Sequence, residues 1–431
     1  MAGFDANELY QALNNTVIPR FLSEYADQYF VAASPLFEKA IATAQRSDTR
    51  TLKAKIRVKI PHSGYAGDVH HTMNRGLVSA GGTIEITRSM IHLVSGLKIL
   101  WDDILSSADM VVGKKYVATV LAEHMMSHKE FVRHYLISDD GTGKLFQVKG
   151  TAGSTITAGN WIEVDTASPY KGSIWENHIV DFHKSGTATA ELSGGVVDEF
   201  SHSVAALAGK PGIKLKTQNL VFPSGVDTLE VYAQSSYHKG IDSIMTLTDP
   251  AVTTFMGVND RFYQPLDIDG NNEFLKVRHI EDAIIELRQR NQGQRGNRVV
   301  VLDDVQYANL REDLRLNPSY NTQPLKLAGG FESLSVVVEG EKVVLLHDPF
   351  WRAAGRVPIV DISDIQIQFF GEKPIMVGKK PTMANVQGMY LAWNTGTVNA
   401  LVGDIESYVG LWAKKRRIHS SITSLKTSRK V

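Results

Sequence analysis

The chain has 431 residues, and its 46 lysines and arginines balance its 46 aspartates and glutamates, so the formal net charge is zero. Zero net charge argues against a protein that binds nucleic acid or an anionic membrane over its whole surface. The absence of cysteine excludes disulfides, cysteine-ligated zinc, iron–sulfur clusters and thiol nucleophiles. No stretch approaches the roughly 18 apolar residues of a membrane span, and the first residues lack a signal-peptide pattern. We therefore expect a soluble, intracellular protein.

Residues 1–48 are predicted to form short helices. Val17–Tyr29 carries apolar residues at helical spacing, and another helix is expected after the N-cap and first-turn pair Ser34–Pro35. Pro19 and Pro35 interrupt any continuous helix. This pattern indicates an articulated N-terminal arm rather than a compact domain.

Residues 49–100 are predicted to form an extended hairpin. Apolar residues alternate with cations over Leu52–Ile60, and in Thr83–Thr87 isoleucine alternates with threonine and glutamate. The glycine-rich connection between them is far longer than an ordinary hairpin loop, and such loops are usually functional or mobile. The cations of the first strand form one row, which faces either an acidic partner or solvent as an edge strand protected by lysine. The row consists of Lys53, Lys55, Arg57 and Lys59.

Lys114–Ile137 is the strongest helix of the sequence and is predicted to be about 35 Å long. Its apolar stripe is expected to face a core, and its charged residues are expected to occupy the opposite side. The stripe contains Val117, Leu121, His124, His128, Val132 and Tyr135; the charged side contains Lys115, Glu123, Lys129, Glu130 and Arg133.

The remainder is predicted to be rich in strands. Residues 141–277 indicate short strands and turns, and a helix over 280–287 precedes a buried strand, Val299–Leu302. Asp303 or Asp304 is expected to cap the next helix, which Pro318 ends. A hairpin over 336–346, a strand over 364–369 and a basic C-terminal segment follow.

Few residues suggest chemistry. His124 and His128 have a metal-ligand spacing, but the sequence lacks the HExxH glutamate, so structural histidines are favoured. Asp267–Glu273 resembles the start of a calcium loop but lacks the glycine and glutamate at the required places, which favours a turn. Asp102–Asp103 and Asp303–Asp304 are expected to act as helix caps, and His70–His71 as a solvated loop feature. No phosphate-binding loop, dinucleotide fingerprint or nucleophile elbow is present.

The basic cluster near the C-terminus has three open interpretations. It contacts DNA phosphate, it contacts an acidic neighbouring subunit, or it is a solvated face. The cluster consists of Lys414, Lys415, Arg416 and Arg417.

The order of these elements resembles the major capsid proteins of tailed double-stranded-DNA bacteriophages, whose shell fold also occurs in encapsulins. The closest local match is 296–313, which looks like the strand-to-helix passage of the family's axial domain; Gly329–Phe331 and the hairpin after it fit the same neighbourhood. The resemblance implies an α+β fold. It divides the chain into an N-terminal arm (1–48), an extended loop and its base (49–100), a peripheral domain with a spine helix at 114–137 (101–270), an axial α/β domain with return strands (271–400), and a C-terminal basic segment (401–431).

The resemblance implies a structural protein that self-assembles into hexamers and pentamers, forming an icosahedral shell around viral double-stranded DNA. It implies no enzymatic activity, no catalytic residue, no metal, no cofactor and no membrane partner. The arm and the hairpin would each gain a core from another subunit, and the cationic row would face a neighbour's carboxylates. Expected partners are further copies of the chain, weakly bound DNA, and a portal and a decoration protein; the resemblance implies either a separate scaffolding protein or none. The expected location is the virion, with assembly in the host cytoplasm.

Two alternatives stay open. An encapsulin-like nanocompartment would use the same fold around an enzyme cargo. A β-rich metal-dependent hydrolase using His124 and His128 is the rival outside the shell proteins.

Overall fold

A computed structural model gives the fold of the chain. It describes residues 34–57, 83–100, 110–165, 178–259, 263–291, 295–316, 323–326, 332–338, 340–348, 351, 355–371, 376–378, 392–394 and 400–429. The predicted helix Val17–Tyr29, the loop with His70–His71, and Asp102–Asp103 lie outside these residues.

The end of the predicted arm packs into its own chain. Helix α1 (Pro35–Ala42) begins as predicted, because the Ser34 hydroxyl accepts a hydrogen bond of 3.1 Å from the Phe37 amide. Ser34 also donates to Asp348, and the side chains of Leu36 and Phe37 are fully buried. This corrects the expectation that the whole of 1–48 takes its core from another subunit. Most apolar side chains of α1 are buried within their own chain.

A six-stranded sheet follows the arm. Strand β1 (Gln45–Ser47) pairs in parallel with β19 (Ile365–Phe370). The central strand is β22 (Ala400–Ala413), which pairs along one side with β4 (Ile91–Leu100). Its other side pairs in turn with β19, β20 (Met376–Gly378) and β21 (Ala392–Asn394). The predicted strand at 364–369 is confirmed, with alternate residues buried.

The spine helix is confirmed, with one correction. Helix α2 spans Met110–Arg133 and continues as one turn of π-helix over His134–Ser138. The predicted apolar stripe is buried except for the half-buried His124. Of the predicted charged side, however, Lys129, Glu130 and Arg133 are also buried, and Glu130 accepts a 2.7 Å hydrogen bond from Arg133. Both sides are covered because the last turns of α2 lie where the sheet meets a barrel: nearby Phe131 packs against the cores of both.

Six strands between residues 144 and 233 form a closed antiparallel barrel, in which they are joined in the order β10-β7-β5-β12-β8-β9. These are β5 (Lys144–Lys149), β7 (Trp161–Val164), β8 (Ile179–His183), β9 (Ala190–Val204), β10 (Lys210–Leu215) and β12 (Thr228–Ala233). A separate strand pair joins β6 (Thr155–Ile156) to β11 (Leu220–Val221). The barrel has its own core, which includes Phe146, Val180, Ile213 and Leu229. Short strands were predicted here, but their closure was not.

A seven-stranded mixed sheet with two long helices forms the third unit, in the strand order β13-β23-β18-β14-β17-β16-β15. The strands are β13 (Leu266–Asp269), β14 (Arg298–Leu302), β15 (Gln323–Lys326), β16 (Glu332–Val338), β17 (Glu341–His347), β18 (Val357–Asp361) and β23 (Ser420–Thr423). The helices are α4 (Val277–Arg290) and α5 (Asp304–Leu316), and a short helix, α3 (Ile244–Leu247), precedes them.

The predicted buried strand lies between two cores. Val299 and Val301 of β14 belong to one apolar cluster, whereas Val300 and Leu302 belong to another. Asp303 caps α5 as expected, since its carboxylate accepts a 2.7 Å hydrogen bond from the Gln306 amide. The 336–346 hairpin is also confirmed as β16 and β17.

The predicted domain boundaries stay a prediction. Strand β4 from 49–100 pairs with β22, and β13 from 101–270 pairs with β23, so sheets join segments that the boundaries separate.

Candidate assembly surfaces

Strands β2 (Thr51–Arg57) and β3 (Thr83–Ser89) form a two-stranded ribbon, hereafter the ribbon. In the described residues these strands pair only with each other. Lys53 is exposed, and Lys55 stands opposite Glu85 in the register. The hairpin is therefore confirmed, but one position of the cationic row already has an acid across from it. Lys59 lies outside the described residues.

A cationic patch forms where the turn after β22 meets the end of α4. Lys414 and Lys415 are exposed and line a hollow of about 290 Å³ together with Arg295. Arg417 donates to the backbone carbonyl of Arg290, which brings these two residues beside the hollow. We call Arg290, Arg295, Lys414, Lys415 and Arg417 the cationic patch.

The carboxylates inside this hollow already have partners. Asp364 accepts hydrogen bonds from the Lys415 amide at 2.9 Å and contacts His419 at 3.3 Å. Asp361 accepts from the amide and hydroxyl of Ser363. Both acids are nearly buried, so the patch presents mainly positive charge. The sequence did not predict that Arg290 and Arg295 belong to this surface, because no local pattern connects them to a turn more than a hundred residues later.

Arg416 does not belong to the patch. Its side chain is fully buried and donates to the carbonyls of Thr246, Leu247 and Asp249 at 2.8–2.9 Å. Its guanidinium also lies 4.9 Å from the ring centroid of Phe255. This corrects the prediction of four adjacent surface cations: in a short 3₁₀ turn (Arg416–Ile418), successive side chains point in different directions, and this one closes the end of α3.

The barrel is joined to the rest of the chain at a narrow neck, formed by 139–144 and 239–243. One oxygen of the Asp139 carboxylate bonds across it, accepting from the Ile241 amide at 2.7 Å, and the other accepts from the Gly143 amide of its own segment at 2.8 Å. The two crossings are so close that a side chain at Gly240 would clash with the backbone of 141–143. Burial raises the pKa of Asp139 to about 7, against the opposing effect of these amide donors.

An open groove of about 870 Å³ runs beside β4, between the spine helix and the barrel. In the described part of the chain, β4 pairs with β22 on one side and with no strand on the other. Val94 and Ile179 line the groove and are 44% and 41% exposed. Such an edge offers backbone groups to another strand.

One member of the predicted histidine pair, His128, serves packing. His128 is fully buried and contacts the hydroxyls of Ser95 and Ser407 at 2.7 and 2.9 Å, which joins α2 to β4 and β22. A serine beside a histidine occurs in hydrolases, but here the second ring nitrogen meets a hydroxyl instead of a carboxylate. Burial lowers the pKa of His128 to about 3, so the imidazole is a weak proton acceptor at neutral pH.

The other candidate groups that the structure describes lie apart from one another. In the described residues, no three His, Asp or Glu side chains lie close enough to hold a metal ion. Of the predicted turn at 267–273, Asp267 and Asp269 belong to β13, and the turn itself follows the strand: Asp269 accepts from the Asn271 amide at 2.9 Å, and the Glu273 amide donates to the Gly270 carbonyl at 2.9 Å. Asp304 contacts His347 at 2.8 Å, apart from the Asp303 cap. No helix in the described part is long and apolar enough to cross a membrane.

No protein-family model and no curated protein matches this chain. Several solved structures, however, match its fold. The chain is similar to a chain of the capsid asymmetric unit of cyanophage A-1(L), with a TM-score of 0.51 and 11% identity over 91% of this chain and 92% of that chain. An encapsulin of Synechococcus elongatus PCC 7942 gives a TM-score of 0.40 (8% identity, 100% and 99% covered), and the capsid of a native GTA particle gives 0.38 (12% identity, 92% and 92% covered). The expected α+β shell fold is confirmed.

Proposed function

We propose that this chain, which has the fold of tailed-phage capsid subunits, is a major capsid protein. Copies of it would form the hexamers and pentamers of an icosahedral shell around viral double-stranded DNA. The observation that carries the proposal is the likeness to the cyanophage capsid protein over nine-tenths of both chains. In this role the protein acts through its contacts with other copies and has no reaction to catalyse.

The ribbon supports this function physically. A two-stranded sheet is marginally stable by itself in water, and the described residues provide no third strand for it. Contact with a neighbouring subunit would cover it. We propose that Lys53, Lys55, Arg57 and Lys59 face carboxylates of that neighbour.

The cationic patch is proposed as a contact for phosphate or for a neighbouring subunit, through Lys414, Lys415 and Arg417. Its own acids are engaged internally, so these cations are available to a partner. Weak, non-specific binding of this kind suits a neutral protein that must hold DNA and also release it.

The remaining expectations form part of the same proposal. The protein would reside in the virion, after assembly in the host cytoplasm with a separate scaffolding protein, a portal and a decoration protein. An encapsulin-like shell would differ in content, holding an enzyme cargo instead of a genome. A metal-dependent hydrolase has no support from the described residues, because His124 and His128 do not form a ligand set.

Electron microscopy of the overexpressed, purified protein tests the proposal. We expect hollow polyhedra, tubes or rings, and nucleic-acid sequencing of particles from infected cells should identify a packaged viral genome. Dispersed monomers under all conditions, including coexpression with neighbouring phage genes, would contradict it. Particles filled with one host enzyme would favour the encapsulin alternative.

A further inference from the structure

The root of the ribbon lies between the six-stranded sheet and the neck of the barrel. Strand β3 passes directly into β4, and the Met90 amide between them donates a 2.9 Å hydrogen bond to the Arg50 carbonyl at the start of β2. The Arg50 guanidinium lies 4.4 Å from the ring centroid of Tyr408 and 5.0 Å from that of Phe370. On this side the ribbon is therefore fixed to the sheet.

Arg88 fixes the other side of the root. It lies in β3, and its guanidinium forms an ion pair with Asp242 of the neck. The same oxygen of Asp242 accepts a 2.8 Å hydrogen bond from the Met256 amide, so the position of the carboxylate is independently fixed. The two side chains are 29% and 17% exposed, so this pair is less screened by solvent than a surface pair.

The neck makes this ion pair a contact between rigid parts. The hydrogen bond from the Ile241 amide to Asp139 joins the two chain crossings, and Gly240 lets their backbones lie in contact, so the adjacent Asp242 is part of a tightly packed base of the barrel. Arg88 also experiences the charge of Asp139, which opposes the lowering of its pKa by burial. The ribbon is thus attached to the barrel through an arginine and a compact group of carboxylates.

We infer that Arg88 is a positioning residue, which couples the direction of the ribbon to the barrel through its ion pair with Asp242. The coupling concerns one chain. Its consequence, that the barrel helps to aim the ribbon at a neighbouring subunit, rests on the proposed function. Loss of either charge would leave the ribbon attached to the sheet through Arg50 but free to change its angle to the barrel.

Spin labels can measure this angle, because the chain has no natural cysteine. Cysteines introduced by Lys53→Cys in the ribbon and Ala188→Cys in the barrel replace exposed residues and report the distance between these parts. Labelled chain is mixed with a large excess of unlabelled chain, so that only distances within one subunit contribute. Pulsed electron resonance then gives the distribution.

We expect a narrow distribution in the parent and a roughly twofold broader one in Arg88→Gln and in Asp242→Asn. The double variant should be no broader than either single one, because both remove the same contact. Arg46→Gln, an exposed arginine of β1, is the matched control and should leave the distribution unchanged.

An unchanged distribution in folded Arg88→Gln would overturn the inference, even if the melting temperature falls, since that result would show a merely stabilising contact. If Arg88→Gln does not fold, Arg88→Lys, which keeps the charge, is measured in its place. The coupling is supported if Arg88→Lys keeps the parental width while Asp242→Asn gives a broader distribution. It is overturned if Asp242→Asn also keeps the parental width. Failure of the natural chain, without introduced cysteines, to form shells would contradict the proposed function without affecting this distance measurement.

Discussion

The guanidinium of Arg416 donates a 2.8 Å hydrogen bond to the backbone carbonyl of Asp249, 167 residues earlier in the chain. Two further carbonyls at the end of α3 accept from the same side chain. Although Arg416 stands in a run of four cations, its side chain therefore connects two parts of the same chain. These are the segment that follows the barrel and the turn that leads into β23.

Arg416→Met should destabilise the protein strongly. The substitution keeps much of the apolar volume but leaves buried carbonyls without their donor, and we expect a loss of about 3 kcal/mol in the free energy of unfolding. Thermal or urea unfolding of the unassembled chain measures it. The neighbouring Lys415→Met, at an exposed position, is the control and should change stability by less than about 0.5 kcal/mol. Equal effects of both substitutions would contradict the internal role of Arg416.

His128 should make the protein less stable in acid. Burial lowers its pKa from the ordinary value of 6.5 to about 3, so between these values the unfolded chain binds a proton that the folded chain does not. Stability is then highest above pH 6.5 and falls by up to about 1.4 kcal/mol for each pH unit below it. Unfolding of His128→Asn across pH 4–7 should show a shallower fall than the parent. Parallel curves would show that another group is responsible.

Asp139 should act in the opposite direction. Burial raises its pKa from 3.8 to about 7, so the folded chain holds a proton in this range that the unfolded chain lacks. Its contribution is full below pH 3.8 and is lost as the pH rises through 7. Asp139→Asn cannot titrate, so the difference between parent and variant stability should shrink as the pH rises across this window. A difference that is constant with pH would refute the raised pKa.

Charge reversal in the ribbon should prevent assembly without unfolding the subunit. Lys53→Glu places a negative charge where we propose a neighbour's carboxylates. We expect the assembled fraction to fall by at least roughly tenfold, since about 1.4 kcal/mol already gives a factor of ten and like charges across an interface cost more. Sedimentation and microscopy measure shells, and circular dichroism measures helix content. Lys184→Glu, at an exposed lysine of the barrel, is the matched control. Normal shells from Lys53→Glu would remove this residue from the interface.

The cationic patch should contribute to DNA binding in a salt-dependent way. In Lys414→Gln combined with Lys415→Gln, the slope of log K against log salt should decrease by about 0.9 for each phosphate contact that is lost. Fluorescence anisotropy with a short duplex provides the slopes. Lys98→Gln combined with Lys184→Gln removes the same charge elsewhere on the surface. Identical slopes in both double variants would exclude a phosphate role, and loss of shells in the first would then indicate a subunit contact.

Sequence patterns predicted the elements whose signal is local. Alternation identified the ribbon strands, and a continuous apolar run identified Val299–Leu302. Side-chain spacing also located the spine helix to within a few residues. In each case neighbouring residues carry the information, because burial repeats with the period of the helix or strand.

Contacts between segments far apart in the chain could not be predicted from sequence patterns. Closure of the barrel depends on pairing β9 with both β8 and β10, and nothing in short strands specifies such partners. Glu130 and Arg133 are buried as a pair. Helical periodicity places both residues on the solvent side of the helix, because periodicity contains no information about a second surface that covers that side. The cationic patch joins residues of α4 to a distant turn in the same way. The sequence therefore identified some residues of each candidate surface but not the residues that distant segments add to it.

The narrow neck also makes the barrel an insertion within the surrounding chain. Since the chain enters and leaves it side by side, a foreign domain with adjacent termini could replace 144–238 without rerouting the strands on either side. If shells form as proposed, each would then display one guest per subunit, in a regular array and at a fixed point of attachment.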